Sequence, residues 1–206
     1  MFWDQADEDT LETEIKAKRP RTASKEVRRR QLIEATIASI AQHGLIGTTM
    51  ATVTGIANLS MGIVSFHFQS KENLLRETLL FLAAEHRENW IKRSSKAGLR
   101  PQDKLIAVIS AHFDPAICTQ DRIAVWFAFF GEAHYRKTYD AKLAPFDHER
   151  GAVMEDLCQT IIDEGGYQGV DAKLIAHGLE SFADGLWLNI MMCPGDMTPE
   201  IAEHQI

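Results

Sequence analysis

Thr49-Met-Ala-Thr-Val-Thr-Gly-Ile-Ala-Asn58-Leu-Ser60-Met-Gly-Ile-Val-Ser-Phe-His-Phe-Gln-Ser70-Lys71 reads as two short helices joined by a tight turn, with the cap of a third helix directly behind. Thr49 and Ser60 each carry a side-chain oxygen that accepts from the free backbone N–H groups opening a helix. Asn58 lies between them and tolerates the left-handed conformation that a helix-ending turn requires. A helix, a turn of three or four residues and a second helix is the geometry that sets one helix into the major groove of DNA.

Working outward, Ser24 caps a first helix over about 25–43, whose inner face is Ile33, Ile37, Ile40 and Ala41 at helical spacing. His43-Gly44 ends it, with Gly at the favoured position past the last turn. Helix two covers about 50–57, with Met50, Val53 and Ala57 inward, and helix three about 60–67. Ser70 caps a long fourth helix to about Lys96, with Leu74, Leu75, Leu79, Leu82 and Trp90 along a broad apolar face. Ala97-Gly98 and Pro101 stop it. The rest carries no period-two strand pattern. Helices are expected near 101–112, 120–138, 140–164 and 171–192, punctuated by Gly165-Gly166 and Pro194-Gly195, with a short helix after Thr198. The expected fold class is therefore all-α. An N-terminal three-helix domain with the helix-turn-helix occupies 25–75, and a helical bundle for ligand binding and dimerisation occupies 76–206. Residues 1–24 form a tail without apolar periodicity. Its Lys16, Lys18, Arg19 and Arg21 suit either a basic arm or a mobile tail.

A chain of 206 residues, 45% apolar and 25% charged, is of ordinary globular composition. No apolar run reaches the ~18 residues of a membrane span. The acidic start does not read as a secretory signal, so a cytoplasmic protein is expected. Cys118, Cys158 and Cys193 have no CxxC spacing and are read as reduced core thiols. The net charge of −7 is unevenly spread: residues 1–14 carry −6, residues 15–76 carry +7 and residues 77–206 carry −8. A basic module on an acidic body is the footprint expected when one end meets phosphate, although a solvated charge run has the same arithmetic. Enzyme signatures are missing. There is no HExxH, no Glu three residues before any of the eight histidines, no GxSxG and no Gly-rich phosphate loop. Glu132 with His134, and Asp147-His148-Glu149, are loose clusters read as surface, so neither metal nor cofactor is assigned.

The pattern Thr49…Val53-Thr54…Ala57-Asn58-Leu59-Ser60-x-Gly62-x-Val64…Phe68-x-Ser70-Lys71-x-x-Leu74-Leu75 resembles the signature of TetR-family regulators, over about 25–75. Arg28-Arg29-Arg30-Gln31-Leu32-Ile33-Glu34-Ala35-Thr36, Gly62-Ile63-Val64-Ser65 and Asp184-Gly185-Leu186-Trp187-Leu188 resemble the choline-responsive repressors of that family. Asn58 stands where the family often has Gly, and Ser65 and His67 where it often has Tyr. The resemblance implies a homodimeric repressor of choline-to-glycine-betaine genes, relieved by choline. A regulator answering to a different small ligand, or to none, and a helical enzyme with an acidic pocket are the alternatives.

On this reading Met61, Ile63, Ser65 and Phe66 lie nearest base edges, with Gly62 allowing close approach. Thr49, Ser60, His67, Lys71 and the run Arg28, Arg29, Arg30 meet phosphates. Val53, Ala57, Leu59, Val64 and Phe68 form the small core, while Phe66 suits core and DNA equally. Trp126, Phe127, Phe130, Tyr135, Asp184 and Trp187 suit an aromatic cage for a quaternary ammonium; aromatics at this spacing equally suit plain core. The family's dimer implies an apolar seam from Met154, Leu157, Ile161 and Ile162 against Leu179, Leu186 and Ile190, so that two copies address the half-sites of a pseudo-palindrome. DNA and ligand favour different spacings of the two recognition helices, with helix four as the lever between them.

Overall fold

A computed structural model describes residues 24–132 and 141–206, and among these every regular element is helical. α1 (Lys25–Gly47) is capped by Ser24, which accepts from the Val27 N–H. It breaks where the sequence places the break: Gly44 has φ 69° and ψ 175°, a conformation that suits glycine, and one further turn carries the chain to Gly47. α2 (Met50–Ala57) opens on Thr49 in a reciprocal cap with Thr52 and ends at Asn58 in the left-handed region. α3 (Met61–Phe68) follows at a bend of 114°, within the range of helix-turn-helix pairs. Ser60 holds its cap position without a side-chain cap bond, contrary to expectation. At the α3–α4 corner, Gln69 takes φ 64° and ψ −43° while the Ser70 N–H bonds the Phe68 carbonyl at 2.7 Å. This is a γ-turn of the rare positive-φ kind, a strained link that needs its neighbours to hold it.

α4 (Lys71–Ser94) is capped by Ser70 and runs unbroken past the expected boundary at 75/76. α5 (Pro101–Ser110) starts on proline and continues into a 3₁₀ turn, Ala111–Phe113. α6 (Gln120–Gly131) is shorter than the expected 120–138, whose last six residues, with Tyr135, lie outside the described residues. α7 (Ala144–Gly165) ends at Gly166 with φ 62°, as its glycine pair predicts. α8 (Ala172–Met192) and a short α9 (Pro199–Glu203), capped by Thr198, complete the chain. The tail, with its four basic residues, also lies outside the described residues.

One apolar core runs from the small N-terminal bundle through α4 into the larger one. α1 packs on α2, α4 and α6, and α7 pairs with α8. The N-terminal helices are also fastened by polar bonds. Gln31 donates to the Ala57 carbonyl at 2.8 Å, closing the end of α2, and Ser39 bonds Thr48 and Thr52. Cys118 and Cys158 are buried thiols, the first pushed up to about 12 by burial. Cys193 is exposed, which corrects its reading as core; it lies just past α8, where the chain leaves the bundle. No single helix among the described residues is long and apolar enough to cross a membrane.

Candidate functional site

α3 divides cleanly into two faces. Val64 and Phe68 are buried, one turn apart, against the core. Met61, Gly62, Ser65 and Phe66 are exposed on the other side, and Phe66, undecided from sequence, is 70% exposed with the Lys25 ammonium 5.6 Å from its ring centroid. A Cβ placed on Gly62 would meet only Ser60 Oγ at 3.9 Å, so the fold itself does not require a glycine there. The exposed Thr49 and Ser60 stand at the N-termini of α2 and α3, where free N–H groups and the helix dipole favour an anion.

Ile63, His67, Lys71 and the arginine run named with them are placed differently. Ile63 is half-buried against the core, so the exposed side chains of this face are Met61, Ser65 and Phe66. His67 is half-buried with an enclosed, unpartnered Nδ1; burial, then Lys25 and Arg29, lower its pKa. Lys71 donates to the Leu45 and Ile46 carbonyls at 2.9 and 3.3 Å, tying α4 to the end of α1. Arg28, Arg29 and Arg30 do not share a face, because successive helical residues turn by about 100°. Arg28 bonds Gln31; Arg29 pairs with Glu77 and lies over Phe68; Arg30 reaches Glu34, Glu85 and the Phe81 ring. Arg30, though exposed, spends its guanidinium on these acids.

At the other end, Trp126, Phe130, Asp184 and Trp187 line a cavity of about 40 Å³ together with His86, His112, Asp147 and Arg150. Trp126 is 5.9 Å from Phe130 and 6.5 Å from Trp187, centroid to centroid. Trp187 is fixed by donating to the His112 carbonyl at 2.9 Å. Phe127 packs edge-on against Phe130 but is not in the wall. The partly exposed Asp184 makes no ion pair or hydrogen bond among the described residues, and desolvation raises its pKa against the pull of Arg150. Arg150 is already held by Asp147 and Glu180 at 3.1 and 2.8 Å. The wall therefore offers aromatic faces and a carboxylate without a hydrogen bond or ion pair among the described residues, which suits a small organic cation. Among the described residues no three metal-ligating side chains gather.

Two features were not read from the sequence. His86 and His112 pack edge to face at 4.4 Å, fully enclosed, and burial lowers both pKa values, His112 to about 3. Arg122 on α6 reaches Glu34 on α1 at 3.3 Å and Glu85 on α4 at 3.1 Å. It lies one turn before Trp126, and Glu85 precedes His86. Both helices thus touch the N-terminal domain and the cavity at adjacent positions. Long-range pairings of this kind leave no local pattern in the sequence.

The expected dimer seam is corrected at Met154, Leu186 and Ile190, while Ile161 is half-buried and outside the buried core. Met154, Leu186 and Ile190 are 0%, 3% and 1% exposed, so the protomer's own core consumes them, and Leu157, Leu179 and Ile162 pack against it. The free apolar stripe lies on the opposite face of α8: Leu174, Phe182, Leu188 and Met192, interleaved with exposed Gly178, Ser181 and Gly185. A helix apolar on both faces expects a partner on each.

Two family models match the chain, one of tetR-family bacterial regulatory proteins over residues 32–78 and one of the BetI-type transcriptional repressor C-terminal domain over 101–206. The HTH-type transcriptional regulator BetI of Paraburkholderia phymatum is 34% identical over 170 residues, spanning 82% of this chain and 84% of that one. Its counterpart from Burkholderia ambifaria is 32% identical over 184 residues, 89% and 92% of the two chains. Among solved structures, a transcriptional regulator from Pseudomonas aeruginosa PAO1 matches with a TM-score of 0.76 at 25% identity, covering 89% of this chain and 88% of that one. A regulator from Saccharomonospora viridis in complex with choline shares the fold, with a TM-score of 0.74 at 15% identity over 87% and 93%.

Proposed function

Because the chain belongs to the TetR family of DNA-binding transcriptional regulators and carries a BetI-type C-terminal domain, we propose that it represses genes that convert choline to glycine betaine and leaves its operator when choline binds. The family is one of regulators rather than enzymes. The observation that carries the ligand is the convergence of Trp126, Phe130 and Trp187 on a cavity lined also by Asp184, which makes no hydrogen bond or ion pair among the described residues. A quaternary ammonium gains about 0.5–2 kcal/mol from a ring face, and it relieves the desolvated carboxylate as well. The fold shared with a regulator solved with choline supports the same reading.

Met61, Ser65 and Phe66 then read base edges, and Gly62 admits the helix close to the groove. Thr49, Ser60 and Arg28 hold phosphates, and Lys71 retains a third N–H for the same purpose. The 25–75 and 76–206 units are joined by α4. Two copies, acting in the cytoplasm, pair through the outer stripe of α8 and present two α3 helices to a pseudo-palindrome.

The cavity has room for a few waters at most, less than choline occupies, so binding must part its walls. Two of those walls, at His86 on α4 and Trp126 on α6, belong to the helices that hold the N-terminal domain through Glu85 and Arg122. Ligand and operator thereby favour different arrangements, and each weakens the other by the same factor. A different effector is the alternative; the wide cleft of about 660 Å³ among α1, α4 and α6, with its many charged side chains, favours it.

The test is fluorescence anisotropy on DNA from upstream of the protein's own gene, at fixed salt, with and without choline. Binding tighter than to random DNA and weakened roughly 5- to 150-fold by choline is expected. Specific binding indifferent to choline would discard the ligand and keep the regulator.

A further inference from the structure

His86 has no hydrogen bond among the described residues, although it is only 6% exposed and its Nε2 is fully enclosed. A buried polar atom without a partner costs about 1–3 kcal/mol, so the position calls for an explanation. The imidazole lies in the wall of the 40 Å³ cavity and also of an adjoining one of about 20 Å³. Its neighbour His112 commits Nδ1 to the Ile109 carbonyl at 2.9 Å, an acceptor that requires Nδ1 to carry the proton and leaves Nε2 as an acceptor only. Among the described residues His86 makes no hydrogen bond, and it stands as a neutral hydrogen-bonding group beside the aromatic faces.

We propose that His86 receives the hydroxyl of the ligand, so that the cavity selects a small quaternary ammonium alcohol over the bare cation and over the corresponding carboxylate. This deepens the cation-binding reading above and rests on it. Charge supports the choice of oxygen. A carboxylate would enter beside Asp147 and Asp184, while Arg150, the cationic side chain of the wall among the described residues, is engaged by Asp147 and Glu180. A hydroxyl carries no charge, and a neutral imidazole can accept its proton or donate to its oxygen. A regulator so built would tell the alcohol from its oxidation product.

The test is calorimetric titration of the full-length protein with choline, tetramethylammonium and glycine betaine. The wild type is expected to bind choline roughly tenfold more tightly than tetramethylammonium and to bind glycine betaine weakest. His86→Phe keeps a ring in the wall and removes both nitrogens; it should abolish the difference between choline and tetramethylammonium. His86→Gln should restore part of the difference. The ligand comparison on the wild type stands even where a variant fails to fold. Equal binding of choline and tetramethylammonium to the wild type, or an unchanged difference in His86→Phe, would overturn the assignment while the cage survives. Binding of neither cation would overturn both.

Discussion

Gly62 shows what a single residue can separate. Nothing within 4 Å of its missing side chain, other than Ser60 Oγ at 3.9 Å, demands glycine, yet glycine in a helix costs about 0.5–1 kcal/mol relative to alanine. Gly62→Ala should therefore raise stability by up to that amount in urea unfolding and weaken operator binding by roughly tenfold, about 1.4 kcal/mol. A gain in stability with unchanged DNA affinity would place the groove elsewhere on α3. Lys71 shows the converse. Its position in the motif was legible, but the carbonyls of Leu45 and Ile46 that its ammonium meets lie 25 residues or more away, and no local pattern announces them.

At the scale of elements, α6 is the decisive helix. Arg122 holds Glu34 and Glu85, and burial raises the Glu85 pKa against the pull of Arg122. Arg122→Met removes the more buried of the two cations that hold Glu34 and Glu85 and leaves them to the exposed Arg30. It should lower stability by about 1–2 kcal/mol, discounted for partial exposure. More tellingly, it should leave choline affinity near wild type while shrinking the effect of choline on operator affinity toward nothing. Paired choline and operator titrations check this; an undiminished effect would return the lever to α4 alone. The helices themselves were largely legible, because Ser24, Thr49, Ser70 and Thr198 cap where their hydroxyls predict and Asn58 and Gly166 turn where only such residues turn easily. The faces of α8 were not. Apolar residues line both sides of that helix, and sequence spacing cannot say which side a protomer keeps for itself.

For the whole molecule, the His86–His112 pair makes a prediction about pH. Burial lowers both pKa values, whereas in the unfolded chain each titrates near 6.5. Below about pH 6.5 the unfolded state takes up protons that the folded state refuses, down to about 3 for His112, so stability is full above that window and is lost as pH falls through it. Well inside the window each histidine contributes about 1.4 kcal/mol of loss per pH unit. Urea midpoints at pH 7.5, 6.5 and 5.5 should fall accordingly, and His86→Gln with His112→Gln should flatten the slope; a midpoint independent of pH would mean that the pair is solvated. Asp184 and Glu85 act with the opposite sign, since burial raises their pKa values and protonation in the folded state then adds stability.

The closeness of Trp126 to Arg122 bears on how this molecule can change. Retuning the pocket through α8, at Asp184 or Trp187, alters what is sensed and leaves the clamp on the N-terminal domain untouched. Retuning it through α6 alters the sensor and the transmission together. A lineage, or an engineer building a biosensor for a new metabolite, will find working intermediates far more often along the first route, because a broadened preference there need not cost the response.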